Sequence, residues 1–167
     1  LAHADEKDRI AKRALALLPA SGGSVILDAG TTTARLAMML PRDLQLTVVT
    51  NAVPIAGRLA GSPSVDLHLL PGRVRPTTHA AVGEETVEAL GRLRADVAFI
   101  GTNGLSATHG LSTPDHAEAA AKRAIAVVSV TGFLAAFVLA RAAHPGHATA
   151  SHVPSPSGSS SGESSDE

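Results

Sequence analysis

The 167-residue sequence has no cysteine, no tryptophan and no tyrosine, and only three phenylalanines. Without cysteine, disulfides and thiolate metal sites are excluded. With so few rings, a core has to be filled by Leu, Val, Ile and Ala. An excess of charge of either sign is also missing: 14 basic against 15 acidic side chains leave a net charge of −1. The basic surplus of a nucleic-acid surface is therefore not there. No secretory signal opens the chain, which is charged from Asp5 onward, and the composition fits a cytoplasmic protein. The eight histidines lack the spacing of a metal site, and no lysine follows a glycine-rich run in the register of a nucleotide P-loop, so no metal or cofactor is expected. A start at Leu1 rather than methionine suggests an excised piece.

What is present is an alternation of helices and short apolar strands. Apolar residues at Ile10, Ala14, Leu15, Leu17 and Leu18 predict an amphipathic helix over 5–18, stopped by Pro19 and Gly22-Gly23. Val25 to Leu27 reads as a strand buried on both faces. Gly30 then turns the chain into a helix bearing Leu36, Ala37, Met39 and Leu40, with Thr31 or Thr32 as its cap. Leu46 to Thr50 is a second strand, and Asn51 caps a helix with Pro54 in its first turn. Val65 to Leu70 is a third strand, with Asp66 and His68 outward, and Pro71 to Pro76 a loop with two arginines. Val82 to Arg94 reads as a helix and Asp96 to Ile100 as a fourth strand. A glycine- and threonine-rich loop spans Gly101 to Pro114, before a helix through Lys122 and Arg123 with Glu118 in its first turn.

Ala124 to Ala140 is uncharged, near the lower length limit of a membrane span. Its interruptions favour a helix end, a turn at Thr131-Gly132 and a buried strand around Phe137 to Leu139. From Ser151 onward serine, proline, glycine and acid dominate. Such a stretch buries too little to offset its ordering entropy, so a disordered tail is expected over 146–167.

This alternation predicts an α/β fold, a mostly parallel sheet flanked by helices, in which ligands bind beyond the carboxyl ends of the strands. Asp28 to Gly30, Asn51, Gly72-Arg73 and Gly101-Thr102-Asn103-Gly104 all follow predicted strands. The Gly30–Thr33 turn has two readings: a phosphate seat made by a helix start, or an ordinary strand-to-helix turn. Glu118 and Lys122, four apart, are either a surface salt bridge or ligand contacts.

Six stretches in order carry a resemblance: Asp28-Ala29-Gly30-Thr31-Thr32-Thr33, Val48-Val49-Thr50-Asn51, Pro71-Gly72-Arg73-Val74-Arg75, Phe99-Ile100-Gly101-Thr102-Asn103-Gly104, Gly110-Leu111-Ser112-Thr113-Pro114-Asp115 and Ala121-Lys122-Arg123. Together, over roughly 5–125, they resemble the effector-sensing domain of DeoR-type bacterial transcriptional regulators. That family joins an N-terminal winged helix-turn-helix to a sensor related in fold to ribose-5-phosphate isomerase and CoA transferases. The resemblance implies a lead-in helix over 1–18, a sensor over 19–145, a phosphorylated sugar as effector and a homo-oligomer. It also implies operator contact only through a helix-turn-helix module that is not in this sequence, and no membrane partner. It places the phosphate on Gly30, Thr31, Thr32 and Thr33. Asp28, Asn51, Gly72, Arg73, Gly101, Asn103, Asp115, Glu118 and Lys122 would surround the sugar, with Arg73 or Lys122 supplying charge. Each also has an architectural alternative: Asp28 as a turn cap, Asn51 as a helix cap, Arg73 as a solvated side chain.

Besides the missing helix-turn-helix module, the sequence departs from the family in two places. Asn103 stands where the family usually has an acid, and an amide is no general base near neutral pH, which weighs against catalysis. After Ile125 the pattern stops, and Arg141 and His144 replace an expected acid and lysine. Two alternatives to a sensor follow. One is a sugar-phosphate isomerase-like enzyme using Asp28, Glu118 and Lys122. The other is a truncated or frameshifted remnant whose sheet is incomplete.

Overall fold

The runs Val25–Leu27, Val48–Val49 and Val97–Ile100 have no polar face, and each becomes a strand covered on both sides. The computed structural model describes residues 3–129 and the strand 134–138. In chain order, α1 (Ala4–Ala14) ends in a 3₁₀ turn (Leu15–Leu17) before Pro19. Then come β1 (Ser24–Leu27), α2 (Thr31–Met38), β2 (Leu46–Thr50), α3 (Val53–Leu59) and β3 (Val65–Leu69). A small hairpin, β4 (Arg73–Val74) and β5 (Ala81–Val82), leads to α4 (Glu84–Gly91) and β6 (Val97–Thr102). A second hairpin, β7 (Gly104–Ser106) and β8 (Gly110–Ser112), precedes α5 (His116–Val128) and β9 (Leu134–Val138).

The main sheet has five parallel strands in the order β3-β2-β1-β6-β9. Alternate residues of each strand enter separate cores. Val25, Leu27, Val48, Val97 and Phe99 pack with Ala11 and Ala14 of α1, Leu36 of α2 and Ile55 of α3. Ile26, Val49, Ala98 and Ile100 pack with Leu90 of α4 and with Ile125 and Val128 of α5. Full burial of each large aliphatic side chain is worth about 1.5–3 kcal/mol, and among the described residues Phe99 of the first core is the one aromatic ring they pack around. The chain runs β1 to β3 in one direction, then returns to the other side of β1 as β6. The crevice at that reversal is where ligands enter such sheets.

Several sequence expectations change here. The predicted helix over 82–94 starts only at Glu84, because Ala81–Val82 pairs with Arg73–Val74. The long loop over 101–114 contains the β7–β8 hairpin. The cap of α3 is Ala52 rather than Asn51, and the Thr50 hydroxyl accepts from the Ala52 N–H at 3.1 Å. A strand does follow α5 and pairs with β6, so β9 rather than β6 is the last strand of the described sheet on that side. The Thr131-Gly132 turn, Leu139, Arg141, His144 and the tail over 146–167 lie outside the described residues. Among the described residues, no helix is long and apolar enough to cross a membrane.

Candidate functional site

Leu27 sits opposite both Thr50 and Phe99 in the sheet, so the turns after β1, β2 and β6 emerge together. They surround a cavity of about 570 Å³, roofed by the 75–80 turn of the β4–β5 hairpin and walled by α1 and α5. This is within the size range of small-molecule sites.

Behind the lining residues Gly101 and Lys122 lies a buried carboxylate. Asp28, 1% exposed, accepts a 3.0 Å hydrogen bond from the Gly101 N–H and is ion-paired with Lys122 of α5. Burial raises its carboxyl above the usual aspartate range, and the Lys122 charge and hydrogen bonds from Lys122, Gly101 and Ala29 oppose that rise. Gly101 makes the approach possible: a Cβ there would lie 3.2 Å from the Ala29 carbonyl. Asn51 is also buried, but its amide is turned to the backbone. Its Oδ1 accepts from the Ala29 N–H at 3.0 Å and its Nδ2 donates to the Ala81 carbonyl at 3.3 Å. It braces the β1 turn against β5.

One wall is the start of α2. Its N-cap is Gly30, which offers no side chain, so neither Thr31 nor Thr32 fills the expected capping role. Gly30 is extended, with φ 169°, so its backbone needs no glycine. What it supplies is room, since a Cβ would come 3.1 Å from the Thr33 hydroxyl. That hydroxyl donates to the Gly30 carbonyl at 2.9 Å. The first intrahelical bond in this turn is Ala34 N–H to the Gly30 carbonyl, which leaves the preceding N–H groups at the positive end of the helix. Gly30 and Thr31 border the cavity. Thr32 is buried, and its hydroxyl has no hydrogen-bond partner among the described residues.

The opposite wall is α5 with the hairpin. Asp115 caps α5, accepting from the Glu118 N–H at 2.9 Å. The Glu118 carboxylate accepts from Arg75, from the Thr78 hydroxyl at 2.6 Å and from the Thr113 hydroxyl at 3.2 Å. Burial pushes this carboxyl up, but the bonds from Thr78 and Arg75, with the charges of Arg75 and Lys122, outweigh it and hold it below the usual glutamate value. Arg75 also pairs with Asp115 at 3.2 Å. Glu118 and Lys122 are thus paired with other elements, Arg75 and Asp28, rather than with each other.

Of the residues singled out from sequence, Gly30, Thr31, Gly101, Asn103, Glu118 and Lys122 line the cavity. Asp28 and Asn51 lie buried at its base, and Thr33 is held by Gly30. Gly72 and Arg73 do not line it. Gly72 has φ +134°, and a Cβ there would meet the Thr86 hydroxyl at 2.2 Å, so its role is packing. Arg73 is exposed on β4. Arg75, Thr78 and His79, which the sequence did not single out, border the cavity or hold its wall. The available signal was turn chemistry: Pro76-Thr77-Thr78-His79 sits between two short runs of strand-forming residues.

A parallel sheet with a polar cavity at its strand-order reversal defines an α/β ligand-binding domain. The DeoR C terminal sensor domain family matches residues 2–136, and the chain belongs to it. The match continues past Ile125, where the motif pattern stops. FruR of Bacillus subtilis, an uncharacterized HTH-type transcriptional regulator, is 36% identical over 118 residues, which is 71% of this chain and 46% of FruR. The HTH-type transcriptional regulator GlpR of Haloferax volcanii is 38% identical over 116 residues, 70% of this chain and 45% of that protein. The glycerol-3-phosphate regulon repressor of Escherichia coli is 30% identical over 121 residues, 72% of this chain and 48% of the repressor. The chain spans about half the length of these curated relatives. Among solved structures, ribose 5-phosphate isomerase A of Methanocaldococcus jannaschii aligns with a TM-score of 0.43 and 19% identity, covering 63% of this chain and 39% of the isomerase.

Proposed function

We propose that this domain binds a phosphorylated sugar, or a related phosphorylated metabolite, in the cavity between β1 and β6. Occupancy then alters the DNA contact of a helix-turn-helix module outside this sequence, in a cytoplasmic homo-oligomer. The observation that carries this reading is the uncapped start of α2 opening on the cavity beside the buried Asp28–Lys122 pair. Backbone N–H groups at a helix start suit a phosphate. The Lys122 ammonium and the Asn103 amide, both lining the cavity, suit sugar hydroxyls. That one matched relative is a glycerol-3-phosphate regulon repressor agrees with a phosphorylated small molecule as the signal.

The site is read as binding without turnover. Asp28 and Glu118 are each engaged by a cation, and Asn103 offers an amide where a base would be needed. Thermal melts against glycerol 3-phosphate, ribose 5-phosphate and glucose 6-phosphate, each beside its unphosphorylated parent, test the proposal. A ligand at a hundred times its Kd adds about 2.7 kcal/mol, so at least one phosphorylated compound is expected to raise Tm by several degrees while its parent does not. A folded domain indifferent to the whole panel and to inorganic phosphate overturns the reading. Product accumulating in the ribose 5-phosphate sample by NMR transfers the domain to the enzymes.

A further inference from the structure

The charges bordering the cavity balance in an uneven way. Lys122 is matched by Asp28, and Glu118 by Arg75. Arg73, the other cation the sequence offered, is not in the wall. The remaining lysine is Lys7 of α1, which lines the cavity together with Gly30 and Thr31 and whose side chain has no hydrogen bond or ion pair among the described residues. Its place on α1 is unusual for a lysine. Residues 7, 11 and 14 fall on one stripe of α1, and Ala11 and Ala14 are fully buried in the core. Lys7 is thus the half-buried continuation of the packed face, and its neighbour Asp8 is ion-paired with Arg35 of α2. That pair holds α1 alongside the helix whose first turn borders the cavity.

On the reading proposed above, we infer that Lys7 is the cation that pairs with the bound phosphate, making the lead-in helix part of the effector site. A dianion held between the Lys7 ammonium and the first turn of α2 draws the two helices together, so the position of α1 reports whether the site is filled. The chemistry recognised is a phosphoryl group with its charge exposed toward α1. A free sugar makes no use of Lys7.

The experiment is calorimetric titration of the domain with inorganic phosphate and with whichever panel sugar phosphate binds the wild type, for Lys7→Met, Lys7→Gln and Lys7→Arg. Circular dichroism checks that the free proteins fold alike. Met keeps the apolar stem and Gln a polar end, so a folding defect in one leaves the other. The expected result is at least tenfold weaker binding in the Met and Gln variants, a flatter salt dependence, and substantial recovery in Lys7→Arg. Amide exchange in residues 4–14 slows on binding in the wild type and much less in Lys7→Met. If the wild type binds and the folded Met and Gln variants bind within twofold of it, Lys7 is not the phosphate cation while the sensor reading stands. If the wild type binds neither probe, the sensor reading falls and this inference with it.

Discussion

Two ion pairs in this molecule have the same chemistry and opposite meaning. Arg92 and Glu88 form an i, i+4 pair on α4 with side chains 76% and 68% exposed. Lys122 and Asp28 form theirs at the base of the cavity, with side chains 15% and 2% exposed. In water an exposed pair gains little and loses side-chain freedom. At the cavity floor each charge has left most of its hydration, so either one left alone is costly. The lesson is that α5 is fastened to the sheet by a contact whose value lies in not being broken. For the binding site proposed there, this means that polar groups would be oriented before a ligand arrives.

The sharpest way to break the contrast is Lys122→Met, which strands Asp28 under β6. Urea unfolding is expected to show a loss of about 3–5 kcal/mol, the cost of breaking a buried pair from one side. Adding Asp28→Asn recovers part of it, and a double variant no more stable than Lys122→Met argues against the pair.

Glu118→Gln comes next, since it removes the charge that Arg75 and Thr78 hold. A loss of about 1.5–3 kcal/mol at pH 7 is expected for a charged hydrogen bond. This loss should be pH-dependent. The folded carboxyl titrates below its ordinary 4.5, so the unfolded chain takes up the proton first as the pH falls. The wild type therefore holds this stability above 4.5 and gives it up as the pH falls through the lower folded value. Glu118→Gln has nothing to give up there, and the gap between the two proteins closes on the acid side. Asp28 runs the other way: burial raises its carboxyl, so its contribution is full below the ordinary 3.8 and declines as the pH rises through the raised folded value.

Thr32→Val tests a third case, a buried polar group with no partner rather than a paired one. Replacing that hydroxyl with a methyl is expected to stabilise the free domain by about 1 kcal/mol, read as a rise in Tm. Destabilisation would mean the hydroxyl is satisfied in solution. The smallest effect belongs to Arg92→Ala, expected to cost about 0.3–0.5 kcal/mol, which 0.5 M salt should largely erase. A loss above about 1 kcal/mol would dissolve the distinction between exposed and buried pairs.

How much of this was legible in the sequence follows from distance along the chain. β1, β2 and β6 were readable because strands buried on both faces leave unbroken apolar runs, and α1 because its stripe repeats at helical spacing. The start of α2 was visible as a glycine followed by threonines. The β4–β5 hairpin was not, because two-residue strands have no period to detect, and Arg73 drew notice that Arg75 merits. Nor does a sequence reveal what pairs with what. Lys122 and Asp28 are 94 positions apart, Glu118 and Arg75 are 43 apart, and the local i, i+4 partner is the one the fold does not use. Lys7 looked like one more polar residue of an amphipathic helix, and only its register with Ala11 and Ala14 sets it apart.

The seam between β1 and β6 has a consequence for how such a domain matures. Its two lips are joined by the Asp28 N–H to the Phe99 carbonyl at 3.0 Å and by the Gly101 N–H to the Asp28 carboxylate, 73 positions apart. No partial chain ending before β6 owns both lips. Translation must pass Thr102 before both lips of this cavity exist, so on the reading proposed above no effector could be held until most of the domain has been made.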